Sequence, residues 1–144
     1  MTIATIIAAK GREVISAAPD ATLQEIAQLL SERRIGAVLI TDDQGALAGI
    51  LSERDIVRAV ATAGPTALAD AASHHMTRRV VTCTAADRIS QVMERMTEGR
   101  FRHVPVIEDG RIAGMISIGD VVKHRIAETE AESRSLRDYI QMAS

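Results

Sequence analysis

The sequence predicts an α/β (α+β) fold built from two copies of one β-α-β-β-α unit, packed sheet to sheet with pseudo-twofold symmetry. Three observations predict it. Residues 47–58, LAGILSERDIVR, reappear as residues 112–123, IAGMISIGDVVK. The apolar run Ile35-Gly36-Ala37-Val38-Leu39-Ile40 ahead of the first segment aligns with Phe101-Arg102-His103-Val104-Pro105-Val106 ahead of the second. Leu23 aligns with Ile89, 66 positions on, while Ser52 and Ser117 lie 65 apart, so one extra residue near Gln44 accounts for the slip. A unit of roughly 60 residues buries too little surface to be stable alone, so two copies are expected to form one cooperative body with paired, symmetry-related clefts.

The elements follow in order. Residues 14–17 read as an opening strand. Leu23, Ile26, Ala27, Leu29 and Leu30 form a helical apolar stripe over 22–33, with Asp20 or Thr22 as cap and Pro19 just before. Residues 35–41 are a β-branched apolar run, Asp42-Asp43-Gln44-Gly45 is a turn, and 47–51 form the second arm of a hairpin. Ser52 then caps a helix to about residue 60. The second copy repeats the order: strand 80–84, helix 87–98, strand 101–107, turn 108–110, strand 111–116, helix 117–126. Between the copies, Gly64-Pro65 is a breaker, followed by a short helix over 68–75. The tail after Ile126 alternates charges with Leu136, Tyr139 and Ile140, as a capping or partner-contacting helix would. The boundaries are therefore 1–60 for the first repeat with its N-terminal segment, 61–79 for a linker, 80–126 for the second repeat and 127–144 for the tail.

Composition narrows the function. A net charge of −2 is wrong for a nucleic-acid binder, which needs a basic face. Phe101 and Tyr139 are the only aromatic residues, so base-stacking platforms are absent and a planar ligand would lie between aliphatic side chains and backbone. The single cysteine, Cys83, excludes an internal disulfide and fits a reducing compartment. It lies in an apolar run with no recognisable base nearby, which reads as a small buried residue rather than a nucleophile. His74 and His75 are adjacent and lack the i, i+4 spacing of metal ligands on one helix face. No run is long enough to span a bilayer, and the opening MTIATIIAAKG lacks the basic start of a signal peptide, so a cytoplasmic protein is expected.

The repeated Ser-x-x-Asp carries the chemistry. Ser52-Glu53-Arg54-Asp55 and Ser117-Ile118-Gly119-Asp120 each put a hydroxyl, free N–H groups and a carboxylate around a helix start. Such a place favours phosphate, and the carboxylate can accept hydrogen bonds from both hydroxyls of a ribose. A capping box needs much the same pattern, and the two roles can coexist. Arg54 suits phosphate, whereas its counterpart Gly119 lets backbone approach a ligand, so the two clefts should be chemically unequal.

Each repeat resembles a CBS domain, and the pair resembles a Bateman module of the bacterial stand-alone kind. The resemblance rests on the apolar strand before a twice-seen G-h-h-S-x-x-D-h-h segment (h apolar). The AAKG start, SERD, MTEGRFRHVPV, SIGD and the tail near LRDYI extend it over the whole chain. It implies reversible binding of an adenine nucleotide (AMP, ADP, ATP or NAD, with S-adenosylmethionine ranked behind) between the repeats. It also implies regulation of an unidentified partner protein in place of catalysis, and a homodimer paired helix to helix. By the same resemblance Asp55 groups with Val81, Thr82 and His103, and Asp120 with Ile15, Ser16 and Ala37, while Arg102-His103 supplies a basic pair for phosphates. Strand alternation sends Arg102 and His103 to opposite faces, so only one of them should reach a given cleft. Leu29, Leu30, Val57, Val60, Val92, Met96, Val121 and Ile126 look like more apolar surface than one small interior absorbs, which is the ground for expecting a dimer. A ligand-free dimerisation scaffold is the alternative, favoured if the clefts are filled by their own side chains.

Overall fold

The computed structural model describes residues 1–143, with side chains through residue 142; the last residue of the expected tail, Ser144, lies outside them. The first repeat comprises β1 (Ser16–Ala17), α1 (Leu23–Arg33), β2 (Ala37–Thr41), β3 (Leu47–Ser52) and α2 (Glu53–Ala63). The second comprises α3 (Ile89–Gly99), β4 (His103–Glu108), β5 (Arg111–Ser117) and α4 (Ile118–Ala143). Ahead of both stands an N-terminal helix, αN (Ile3–Lys10). The helix–strand–strand–helix part of the duplication is present in both halves at the expected positions.

The hairpins share one register. Ala37 pairs with Ser52 and His103 with Ser117, and each hairpin slips once, at Ile40/Thr41 and at Val106/Ile107. Each half also has its own core. One gathers Leu23, Ile26, Leu30, Val38, Ile40, Leu51 and Ile56; the other gathers Ile89, Val92, Met96, Val104, Val106, Ile116 and Val121. Thr22 caps α1, its hydroxyl accepting from the Glu25 N–H at 3.1 Å, and Arg34 closes that helix in the left-handed conformation (φ 55°).

Four expectations are corrected. The strand over 80–84 shrinks to a single parallel bridge, Cys83 to Val106, in which the Cys83 N–H donates to Pro105 O at 2.9 Å and its carbonyl accepts from the Ile107 N–H at 2.8 Å. The helix over 68–75 is instead two short 3₁₀ turns, Pro65–Ala69 and Ala72–His74. Their backbone serves the first repeat: Leu23 N–H donates to Asp70 O at 3.0 Å, and Ala72 N–H to Ala21 O at 2.7 Å. The helix over 117–126 does not stop before the tail. It runs through as α4, 26 residues and about 39 Å long, since nothing after Gly119 breaks it. Finally, Leu30, Val92, Met96 and Val121 are buried in the protein's own cores, so half of the residues assigned to excess apolar surface are not surface.

The leading segments exchange places. The residues between the repeats pack on the first repeat, with Ala67 and Ala72 in its core. αN, which by sequence order accompanies the first repeat, packs on the second, and Ile3, Ile6 and Ile7 lie inside that core. The approach is close at a glycine in both halves. A Cβ on Gly114 would sit 2.7 Å from Ile7 Cδ1, and one on Gly49 would sit 2.7 Å from Met76 Sδ. No helix among the described residues is long and apolar enough to cross a membrane.

Candidate functional site

Both Ser-x-x-Asp segments close as helix caps. Asp55 Oδ2 accepts from the Ser52 N–H at 2.8 Å and from the Ser52 hydroxyl at 3.0 Å, while the Asp55 N–H donates to Ser52 Oγ at 3.3 Å. Asp120 Oδ2 accepts from the Ser117 N–H at 2.9 Å, and the Asp120 N–H donates to Ser117 Oγ at 3.1 Å. Each following residue ties back to the start of its own hairpin: Glu53 N–H to Gly36 O at 2.9 Å, and Ile118 N–H to Arg102 O at 2.8 Å. All the internal bonds of both carboxylates fall on Oδ2. Capping therefore leaves the other oxygen of each available, and the two readings of the motif are compatible.

The second site has a member that the first lacks. Lys10, in the last turn of αN, donates from Nζ to Asp120 Oδ2 at 2.7 Å and to Met115 O at 2.8 Å. Burial pushes the Asp120 carboxyl up, but the Lys10 ammonium and the Ser117 N–H and hydroxyl outweigh it and hold the group below the ordinary carboxylate range. Among the described residues Asp55 has no ion pair, and Arg54 beside it is exposed and also unpaired.

His103 lies where the repeats meet. A Cβ on Gly36 would be 3.2 Å from its Cε1 and 3.8 Å from Glu53 Oε1, so the imidazole packs against the start of the first repeat's hairpin. Burial lowers its pKa; the Lys10 and Arg102 charges act in the same direction, and Glu53 and Asp120 oppose them. The imidazole is thus predominantly neutral at pH 7, and its ring nitrogens form no hydrogen bond among the described residues. Arg102 is exposed and contributes its carbonyl to Ile118.

The remaining predicted positions fall around this junction. Ile15 accepts from Leu39 N–H at 3.2 Å, and Ser16, exposed, is registered on Leu39. Val81 and Thr82 are exposed beside the Cys83 bridge. Gly119 is exposed, one turn of chain from Ser117. Ala37 is fully buried in the pairing with Ser52, and its neighbour Gly36 takes the accessible position. The structure packs His103 against Gly36 of the first repeat, within the influence of the Glu53 and Asp120 charges. No hydrogen bond joins Val81 or Thr82 to Asp55, nor Ile15, Ser16 or Ala37 to Asp120, among the described residues. A groove of about 590 Å³ lies between α1 and α2, bounded by Leu30, Arg34, Gly36, Glu53 and Val57. It touches the first Ser-x-x-Asp segment only through Glu53 and is a helix-face feature, separate from the carboxylates.

Three participants were missed by the sequence reading: Lys10, Gly36 and Glu53. Lys10 stands inside the AAKG start, Gly36 in the apolar run and Glu53 inside SERD, and none of them carries a local mark of its place at the junction. The other conspicuous side chains have structural partners. His75 Nε2 lies 2.7 Å from Asp70 Oδ2, and Cys83 is buried with its thiol pushed up to about 11, by burial first and then by the Asp87 charge.

The two halves repeat one hairpin unit, each ending in a capped, carboxylate-bearing helix start. The chain belongs to the CBS-domain family, whose pattern matches residues 10–62 and 71–127. A crystal structure of a CBS-domain containing protein from Agrobacterium tumefaciens is 48% identical, covers 86% of this chain and 92% of its own, and superposes with a TM-score of 0.85. Two other solved structures carry ligands. A CBS domain protein from Pyrobaculum aerophilum complexed with AMP is 28% identical over 83% of this chain and 89% of that one, with a TM-score of 0.74. The CBS domain pair of protein MJ0100, in complex with 5′-methylthioadenosine and S-adenosyl-L-methionine, is 25% identical over 85% of this chain and 98% of that one, with a TM-score of 0.76.

Proposed function

We propose that this chain is a regulatory module that reversibly binds an adenosine-containing nucleotide, of the AMP, ADP, ATP or NAD type, and signals occupancy to a partner protein without catalysing a reaction. The observation that carries this reading is the pair of Ser-x-x-Asp helix starts, each holding its carboxylate by one oxygen and leaving the other for a ribose hydroxyl. His103 supports it, since an unbonded imidazole at the repeat junction is a ready partner for a ligand. The AMP-bound and S-adenosylmethionine-bound relatives add that related pairs take adenosine compounds. Occupancy can shift only an equilibrium between conformations that differ in ligand affinity. The angle between the repeats, the segment 61–79 and α4 are the parts placed to move.

The module is proposed to act as a homodimer. Val57 and Ile126 stay 67% and 55% exposed, although each lies on the helical side of its repeat, and the exposed Leu136, Tyr139 and Ile140 of α4 extend that surface. A twofold, self-complementary contact is the commonest closed solution. The ligand-free scaffold keeps one observation in its favour, the Lys10 side chain that already occupies part of the Asp120 site.

Mass spectrometry of nucleotides released on denaturing the purified protein, followed by calorimetric titration with AMP, ADP, ATP, NAD and S-adenosylmethionine, tests the reading. Binding of at least one tighter than about 1 mM is expected, where association is worth ~4 kcal/mol. Absence of binding by all five leaves the scaffold.

A further inference from the structure

We propose that Lys10 makes the Asp120 site selective for phosphorylated nucleotides over unphosphorylated nucleosides; this rests on the nucleotide reading above. αN is not a loose arm. Ile3 and Ile6 are fully buried in the second core, Ile7 is nearly so, and Ile7 meets the hairpin at Gly114, where a Cβ would press on Ile7 Cδ1. The backbone that carries Lys10 is therefore fixed, and so is its ammonium, by Met115 O and Asp120 Oδ2.

An ammonium has three protons, and those two acceptors use two of them. The third is uncommitted, and the side chain is 39% exposed, so it faces the solvent side of the site. A ribose held on the free oxygen of Asp120 would carry its 5′ substituent one sugar length away. That is inside the ~8 Å over which charges remain unscreened in physiological salt. Without Lys10 the Asp120 carboxylate would repel a phosphate there; with it the pair is neutral and offers a donor. A neutral nucleoside feels neither effect. Among the described residues no cation pairs with Asp55, and the segment that packs on the first hairpin presents Met76 at Gly49.

The test is calorimetric titration of AMP and adenosine into the full chain carrying Asp55→Asn, so that the Asp120 site dominates, with and without Lys10→Met. AMP affinity is expected to fall about tenfold in Lys10→Met, adenosine affinity to stay within about twofold, and Lys10→Arg to recover most of the AMP binding. Unchanged AMP affinity, an equal loss for both ligands, or a gain for both would overturn the proposal, the last showing that Lys10 merely blocks the site. In the Asp55→Asn chain with Lys10 intact, AMP affinity should also weaken from 50 to 300 mM salt while adenosine affinity does not, a readout independent of how Lys10→Met folds; a flat AMP response counts against it. If neither ligand binds the unmodified protein, the nucleotide reading itself fails.

Discussion

The Asp55 and Asp120 sites are built on one plan and differ in what reaches them from outside their own repeat. Both use a hairpin, a capping serine and a carboxylate held by one oxygen. At Asp55 the local cation is Arg54, on the same helix turn, exposed and unpaired. At Asp120 that position is Gly119, and the cation arrives from 110 residues earlier, on a helix locked into the second core. A flexible charge from within the motif costs side-chain entropy when it captures a ligand, whereas a fixed one has already lost it. The duplication supplies a frame, and the leading segment that packs on each half from the other side of the chain makes the two sites unequal.

The largest effect is expected at the anchor: Ile6→Ala should lower stability by about 2–5 kcal/mol in denaturant unfolding, because it opens a cavity in the second core. A loss no greater than that of an exposed substitution such as Val57→Ala would mean that αN is not part of that core. Next come the carboxylates. Asp55→Asn and Asp120→Asn should each weaken nucleotide binding at their own site about 10–100-fold, the scale of a hydrogen bond to a charged group. The cap should cost no more than about 1 kcal/mol. A stability loss with unchanged binding would assign both motifs to capping alone.

Smaller effects follow for titration and assembly. The lowered pKa of Asp120 contributes stability above its unfolded-state pKa that disappears as pH falls through the folded value. Lys10→Met should therefore raise the Asp120 midpoint in carbon-13 NMR titration and flatten the acid limb of the stability curve. His103 works through the neutral form: its stabilisation is present above its ordinary pKa and is lost as pH falls through the depressed one. His103→Gln should remove that share of the loss below neutrality. Sedimentation at micromolar concentration should give twice 15.5 kDa, and a clean monomer would exclude the helix-paired homodimer. Least affected of all, the buried, raised-pKa thiol of Cys83 should stay inert to thiol reagents at pH 8 until the protein unfolds.

The pattern of residues by itself determined the duplication, the hairpins, the helix starts and the two carboxylates, because each depends on neighbours within a few positions. Periodicity specifies which side of an element is apolar, and Ser-x-x-Asp specifies a cap, wherever the chain finally lies. Tertiary structure alone decided the rest. The 80–84 strand keeps only the Cys83 bridge to β4, and the 68–75 helix lost its backbone partners to the start of α1. The apolar residues of αN carry no mark of which repeat they will enter, since burial is non-directional and either core could accept isoleucine. Only the packed molecule, by seating Ile3, Ile6 and Ile7 in the second core, delivers Lys10 to Asp120 and leaves Asp55 without it.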